Sequence, residues 1–134
     1  MDFIDIDIAN YAQKFTSKQH QVLEELERET QYKILMPRML SGKIMGSLLS
    51  IISHIKNPRH ILEVGTYTGY SAICLAQGLK KNGKIHTIEI NEELEDFALK
   101  YFKKAGIEDK INLHIGDALN IIPQINVSFD IIFI

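Results

Sequence analysis

Apolar positions along this chain change their spacing near Arg59. Before that point they recur at helical intervals. Thr16 followed by Gln19 fits a capping box, and Val22, Leu23 and Leu26 then mark an apolar stripe running through to Glu29. Pro37 interrupts the region. Ser41 is placed to cap a second helix, on which Ile44, Leu48, Ile51, Ile52 and Ile55 fall at helical spacing. Asn57-Pro58 ends it, because proline disfavours a helical residue before it.

After Arg59 the pattern alternates between strand and helix. His60–Val64 is a short β-rich run ending at Gly65, and Tyr70–Lys80 is a helix closed by Asn82-Gly83. Lys84–Ile90 is a second strand. Asn91 caps a third helix, whose opening turns carry Glu92, Glu93 and Glu95, where acids suit the helix dipole. That helix buries Leu94, Phe97, Ala98 and Tyr101 and stops at Gly106. Lys110–Ile115 is a third strand, Asp117–Ile122 a short helix and Phe129–Ile134 a fourth strand. Strands separated by helices of this length imply βαβ units, a parallel sheet and right-handed crossovers. The reading is therefore an α/β fold, with leading helices over 1–58 and a βαβ core over 59–134. A length of 134 residues fits one domain.

Composition changes this picture little. Apolar residues make up 46% and charged residues 24%, an ordinary globular mix. A net charge of −2 gives no general reason to expect nucleic acid or an anionic membrane as a partner. The single Cys74 cannot form an internal disulfide and lies on an apolar helix face, as a buried thiol would. The acidic start Met1-Asp2-Phe3-Ile4-Asp5 lacks a basic region followed by an apolar run, so it is not read as a signal peptide. No apolar stretch approaches the roughly 20 residues that span a bilayer. A cytoplasmic location is the default expectation.

Parallel sheets bind ligands at the carboxyl ends of their strands, and the informative residues fall there. After the first strand comes Glu63-Val-Gly65-Thr66-Tyr67-Thr-Gly69. Gly65 removes a Cβ where the chain turns and a ligand approaches, and the next helix offers free N–H groups. The turn is neither Gly-x-Gly-x-x-Gly nor a phosphate-binding loop ending in Gly-Lys-Ser/Thr, so an NAD-dependent dehydrogenase fails on glycine spacing. No lysine lies between Glu63 and Gln77, and Glu63 would repel a phosphate. A cationic ligand fits better: S-adenosylmethionine (SAM) carries an ammonium, a carboxylate and a sulfonium. Glu89 ends the second strand about 20 residues on, where a carboxylate accepts from ribose hydroxyls. Gly116-Asp117-Ala118 ends the third, where a short acid can accept from an adenine amino group. Asp117 can equally cap the short helix after it. The five histidines are scattered without metal-pair spacing, with His86 and His114 inside strands.

Taken together, Met39-Leu-Ser41-Gly42, Ile61–Ser71, His86–Ile90 and Gly116-Asp117-Ala118 resemble the cation-dependent O-methyltransferases, the family of catechol and caffeoyl-CoA enzymes and small bacterial relatives. The resemblance implies a Rossmann-like class I methyltransferase sheet. Met39 and Ser41 would line the methionine end of SAM, and Glu63, Gly65, Thr66 and Tyr67 would form the turn. Tyr70 and Ser71 would close over the methionine portion. Glu89 would hold the ribose, Ile90 would pack on the adenine, and Gly116, Asp117 and Ala118 would meet its edge. The implied reaction is transfer of the sulfonium methyl to a hydroxyl of a small catechol-like or phenolic acceptor. The resemblance also implies a homodimer through the leading helices.

In the family the fourth strand runs into an acidic segment supplying a metal ligand and a catalytic lysine. This sequence stops at Phe133-Ile134, where that segment begins. The expectation is therefore the N-terminal portion of a longer enzyme, holding the first four strands. Catalytic and metal-binding residues lie outside it, and a divalent cation such as Mg²⁺ is expected only in a full-length form. Phe129–Ile134 would then be an exposed apolar edge. The alternative is a catalytically silent nucleoside-binding or interaction module that recruits a partner by strand addition.

Overall fold

Asp5 opens the first helix: its carboxylate accepts the Asp7 N–H at 2.8 Å, and α1 runs Ile6–Phe15. The computed structural model describes residues 4–134, so Met1–Phe3, part of the acidic start read above, lie outside the described residues. Thr16 does not begin the next helix as the capping box suggested. It ends α1, its N–H and hydroxyl both bonded to the Ala12 carbonyl, and α2 starts later, over Gln21–Lys33. Gln19 is free for a tertiary role because the cap it would have completed does not form. Among the described residues no helix is long and apolar enough to cross a membrane.

The second expected helix is α3, Gly42–Lys56, but its isoleucine stripe does not face the core. Ile44, Leu48, Ile51, Ile52 and Ile55 are exposed, while Gly46, Leu49 and Ser53 are buried. The cause lies in α4, Tyr70–Ala76, every residue of which is buried. The small side chains of α3 let this helix come close, and the Ser53 hydroxyl donates to the Leu75 carbonyl at 2.6 Å. The same approach shortens α4 relative to the predicted Tyr70–Lys80. A Cβ on Gly78 would lie 2.2–2.5 Å from the Ser53 and His54 backbone. Only glycine permits that contact, and the helix stops before it.

The sheet order is β3-β2-β1-β4, with all neighbours parallel. β1 (His60–Val64), β2 (Lys84–Glu89) and β3 (Ile111–Ile115) match the predicted strands to within a residue. α5, Glu95–Lys104, follows a short turn capped by Asn91, whose side chain accepts the Glu93 N–H at 3.1 Å. α6 is a single turn, Ala118–Ile121. β4 is only Ile131–Phe133 and lies at the sheet edge, with Ile132 60% exposed, in line with the expected apolar edge. Ile61, Ile85, Tyr101, Phe102 and every α4 residue but Ser71 form one core. The ends of β1, β2 and β3 sit side by side as a result, since Val64 pairs with Ile88 and Glu89 with Ile115.

Candidate functional site

β1 ends in a turn that is pinned to its neighbour. The Gly65 and Thr66 N–H groups both donate to the Ile88 carbonyl of β2, at 2.9 and 3.1 Å. Gly65 has φ +96°, Gly69 at the start of α4 has φ +89°, and Tyr67 between them takes the left-handed φ of +51°. Two glycines and one non-glycine residue held left-handed mark a backbone fixed by its surroundings. What fixes Tyr67 is Glu89. The Tyr67 N–H donates to Glu89 Oε2 at 2.7 Å, and the Asn91 N–H donates to Oε1 at 2.9 Å. At its other end the Tyr67 hydroxyl donates to the Leu35 and Met36 carbonyls, drawing the segment before α3 over the turn.

A cleft of about 150 Å³ opens here, bounded by Met39 and Ser41 on one side and by Gly65, Thr66, Tyr67, Tyr70 and Ser71 on the other. Seven of the thirteen expected residues therefore meet around one cavity. Larger clefts lie elsewhere on the chain, so chemistry and not size marks this one. Glu89, Ile90, Gly116, Asp117 and Ala118 form the neighbouring row at the ends of β2 and β3, joined where the Gly116 N–H donates to the Glu89 carbonyl at 2.8 Å. Each Glu89 oxygen has one backbone donor and keeps a lone pair for a ligand hydroxyl.

One side chain stands differently from the expectation. Glu63 does not line the cleft. It is 0% exposed, beneath the turn, its two oxygens accepting the Ser71 and Thr87 hydroxyls, each at 2.5 Å. Burial pushes its carboxyl up to about 7, against the pull of these hydroxyls and with a further push from Glu89. Glu63 is therefore not the fixed negative charge that the sequence suggested. It holds Ser71 from behind, with burial favouring its neutral form. Asp117 is exposed and accepts the Leu119 N–H at 2.8 Å, so its side chain caps α6. The cap uses one oxygen, Oδ1, and is compatible with the adenine contact expected of the same residue.

Sequence reasoning passed over two threonines. Thr87 donates to Glu63 and also contacts the Thr66 hydroxyl at 2.6 Å, so one buried chain of hydroxyls ties β2 to the turn. The available signal was a threonine between the two buried isoleucines of β2, Ile85 and Ile88. Thr68 borders the cleft and is fully buried, with no partner for its hydroxyl. A buried unpaired hydroxyl is costly, and such groups are partnered in most folded proteins. Away from the cleft, His86 and His114 are joined ring to ring. Their facing nitrogens are 3.1 Å apart and their centroids 5.4 Å, so the nitrogens lie between the rings in an N–H···N bond, not a face-on stack. Among the described residues no group of three or more His, Cys, Asp or Glu side chains could hold a metal ion.

Against known proteins, a family model described as O-methyltransferase matches residues 3–134. A caffeoyl-CoA O-methyltransferase of Medicago sativa is 32% identical over 123 residues, which cover 87% of this chain and 49% of that protein. A catechol O-methyltransferase of Niastella koreensis is 33% identical over 103 residues, 74% of this chain and 47% of that one. Among solved structures, the O-methyltransferase of Bacillus cereus in complex with S-adenosylhomocysteine (SAH) superposes with a TM-score of 0.84 at 31% identity, over 94% of this chain and 59% of that chain. TomG of Streptomyces achromogenes, in complex with SAM, gives 0.84 at 27% identity, over 94% and 58%. The chain spans about half the length of the curated relatives it matches.

Proposed function

The chain belongs to the O-methyltransferase family and has its Rossmann-like fold, and from that premise we propose that it binds SAM at the β1 turn and serves methyl transfer to a hydroxyl oxygen. The observation that carries this reading is the pairing of the left-handed turn with Glu89, which fixes a glycine-lined cleft beside an unsaturated carboxylate. The cleft has room for the amino-acid end of the ligand. The row from Glu89 to Ala118 is open for the ribose and base. The orphaned Thr68 hydroxyl fits such a ligand, because a polar group in the cleft would give it a partner.

In this reading Ser71 and the unpartnered Thr68 hydroxyl hold the methionine portion, with Glu63 orienting the Ser71 hydroxyl from below. Met39 and Ser41 close the near side, following the Leu35–Met36 segment that the Tyr67 hydroxyl anchors. Glu89 accepts the ribose hydroxyls, Ile90 covers the base, and the Ala118 N–H meets its edge. When bound, SAM supplies an electrophilic methyl group on a sulfonium. The protein's share is to hold that group in line with the attacking oxygen. The acceptor in this reading is a small catechol-like or phenolic molecule, supported by the names of the relatives.

A divalent cation does not fit the residues described, which include no cluster able to hold one. This reading assigns the cation and acceptor groups to other parts of the whole protein. Residues 1–134 then act as one cofactor-binding domain. A homodimer has a surface to use in the exposed Ile44, Leu48, Ile51 and Ile55 face of α3. The test of function is transfer of labelled methyl from SAM to catechol by the whole protein with Mg²⁺, with 1,2-dimethoxybenzene as the hydroxyl-free control. Label on catechol alone is the expected result. Label on neither, or on both equally, overturns the proposed reaction.

A further inference from the structure

Behind the cofactor turn, on the far side of Tyr70, lies a second cleft of about 230 Å³ between the Ser17–His20 loop, α3 and α4. Tyr70 borders both cavities. Its hydroxyl donates to Gln19 Oε1 at 2.5 Å, and Gln19 Nε2 donates in turn to Glu27 at 2.9 Å, which fixes the loop against α4.

The charge of this cleft is one-sided. The protein carries 17 acidic residues against 15 lysines and arginines, yet no Asp or Glu lines the cavity, while Lys18, His20 and Lys43 do. Lys33, Lys100 and Lys104 are engaged by Glu29 or Glu25, whereas neither Lys18 nor Lys43 has a carboxylate partner among the described residues. Lys43 holds the Gln13 carbonyl at 3.0 Å, which leaves its charge uncompensated. A concave wall of one sign focuses its potential into the cavity.

The neutral groups suit the same kind of ligand. Ser47 follows Lys43 one turn on, so α3 turns an ammonium and a hydroxyl donor toward the loop. Ser50 donates to Gln77 Oε1 at 2.8 Å, which leaves the Gln77 Nε2 hydrogens for another acceptor. α2 begins at the rim, where His20 makes no side-chain cap bond, so its first N–H groups add positive potential. Cys74 at the floor is no obstacle. Burial pushes its thiol up to about 12, so it stays neutral.

We propose that this cleft is a binding site for a small oxyanion, the phosphate or carboxylate group of a metabolite, separate from the cofactor site. The experiment follows ¹H–¹⁵N spectra while inorganic phosphate, and in a parallel series acetate, replaces chloride at constant ionic strength. The expected result is saturable shifts at Ser17–His20, Lys43–Ser50 and Gln77, in the millimolar range. Phosphate saturating at lower concentration than acetate identifies a phosphate site, and the reverse a carboxylate site. Lys18→Gln lies on an exposed loop and should weaken binding at least threefold while shifting the chloride spectrum only near residue 18, and Lys18→Gln with Lys43→Gln should weaken it at least tenfold, with further chloride-state shifts confined to the Lys43–Gln13 contact. Shifts that do not saturate, that centre on Gly65–Ser71, or that persist unchanged in Lys18→Gln overturn the proposal.

Discussion

Replacing Glu63 by glutamine isolates the buried carboxyl beneath the turn. The side chain is fully enclosed, and its pKa is raised from 4.5 to about 7. The folded state therefore holds this proton more tightly than the unfolded chain. An acid raised in this way contributes stability below its unfolded pKa and loses it as pH rises through the folded value. At about 1.4 kcal/mol per tenfold change in proton affinity, the loss from pH 5 to pH 8 is of order 2–3 kcal/mol. The substituted side chain would keep the shape without the charge, and its amide nitrogen brings two N–H donors. Thr87 can accept one of them and still donate to Thr66, which lies 2.6 Å away. Urea denaturation of both proteins at pH 5, 6, 7 and 8 measures the difference directly, since every other titrating group is common to both. The expected outcome is that E63Q gains about 2–3 kcal/mol on the wild type across that range, most of it between pH 5 and 7. Parallel stability curves would refute the reasoning, because they would mean that Glu63 ionises as freely as in the unfolded chain.

Glu89→Ala should weaken SAH binding by about 1–3 kcal/mol in calorimetry, through lost hydroxyl pairing and through release of the Tyr67 N–H; an unchanged affinity removes the ribose assignment. Gly78→Ala places a methyl against the α3 backbone, where nothing flexible can yield, and should cost roughly 3 kcal/mol or more in denaturant unfolding. A wild-type midpoint would mean that α3 and α4 are not in contact there. Cys74 should resist a thiol-specific reagent in the native state and react at the rate of unfolding; fast native labelling would contradict its burial under α3.

The strands were the most legible part of the sequence. Their β-branched runs and terminal glycines mark β1, β2 and β3 nearly to the residue, because short buried parallel strands have few other ways to be written. The helices were less legible. Five large apolar side chains on α3 outweighed Gly46 and Ser53 in the pattern, yet the small residues face the core, since proximity to α4 and not hydrophobicity sets that orientation. Thr16 and Gln19 made a plausible local cap that lost to a tertiary contact with Tyr70. At the site, Gly65, Tyr67 and Glu89 stood out because turn geometry and strand-end position are local properties. The depth of Glu63 was not legible, since it depends on Thr87 and Ser71 converging from other elements.

The central claim is that the groups for one nucleoside-linked amino acid are assembled within this chain, and calorimetric titration of the 134-residue chain with SAH tests it most directly. Saturable one-to-one binding is the predicted result, with NAD giving none under the same conditions. No heat of binding with millimolar SAH, or binding of NAD in its place, would contradict it.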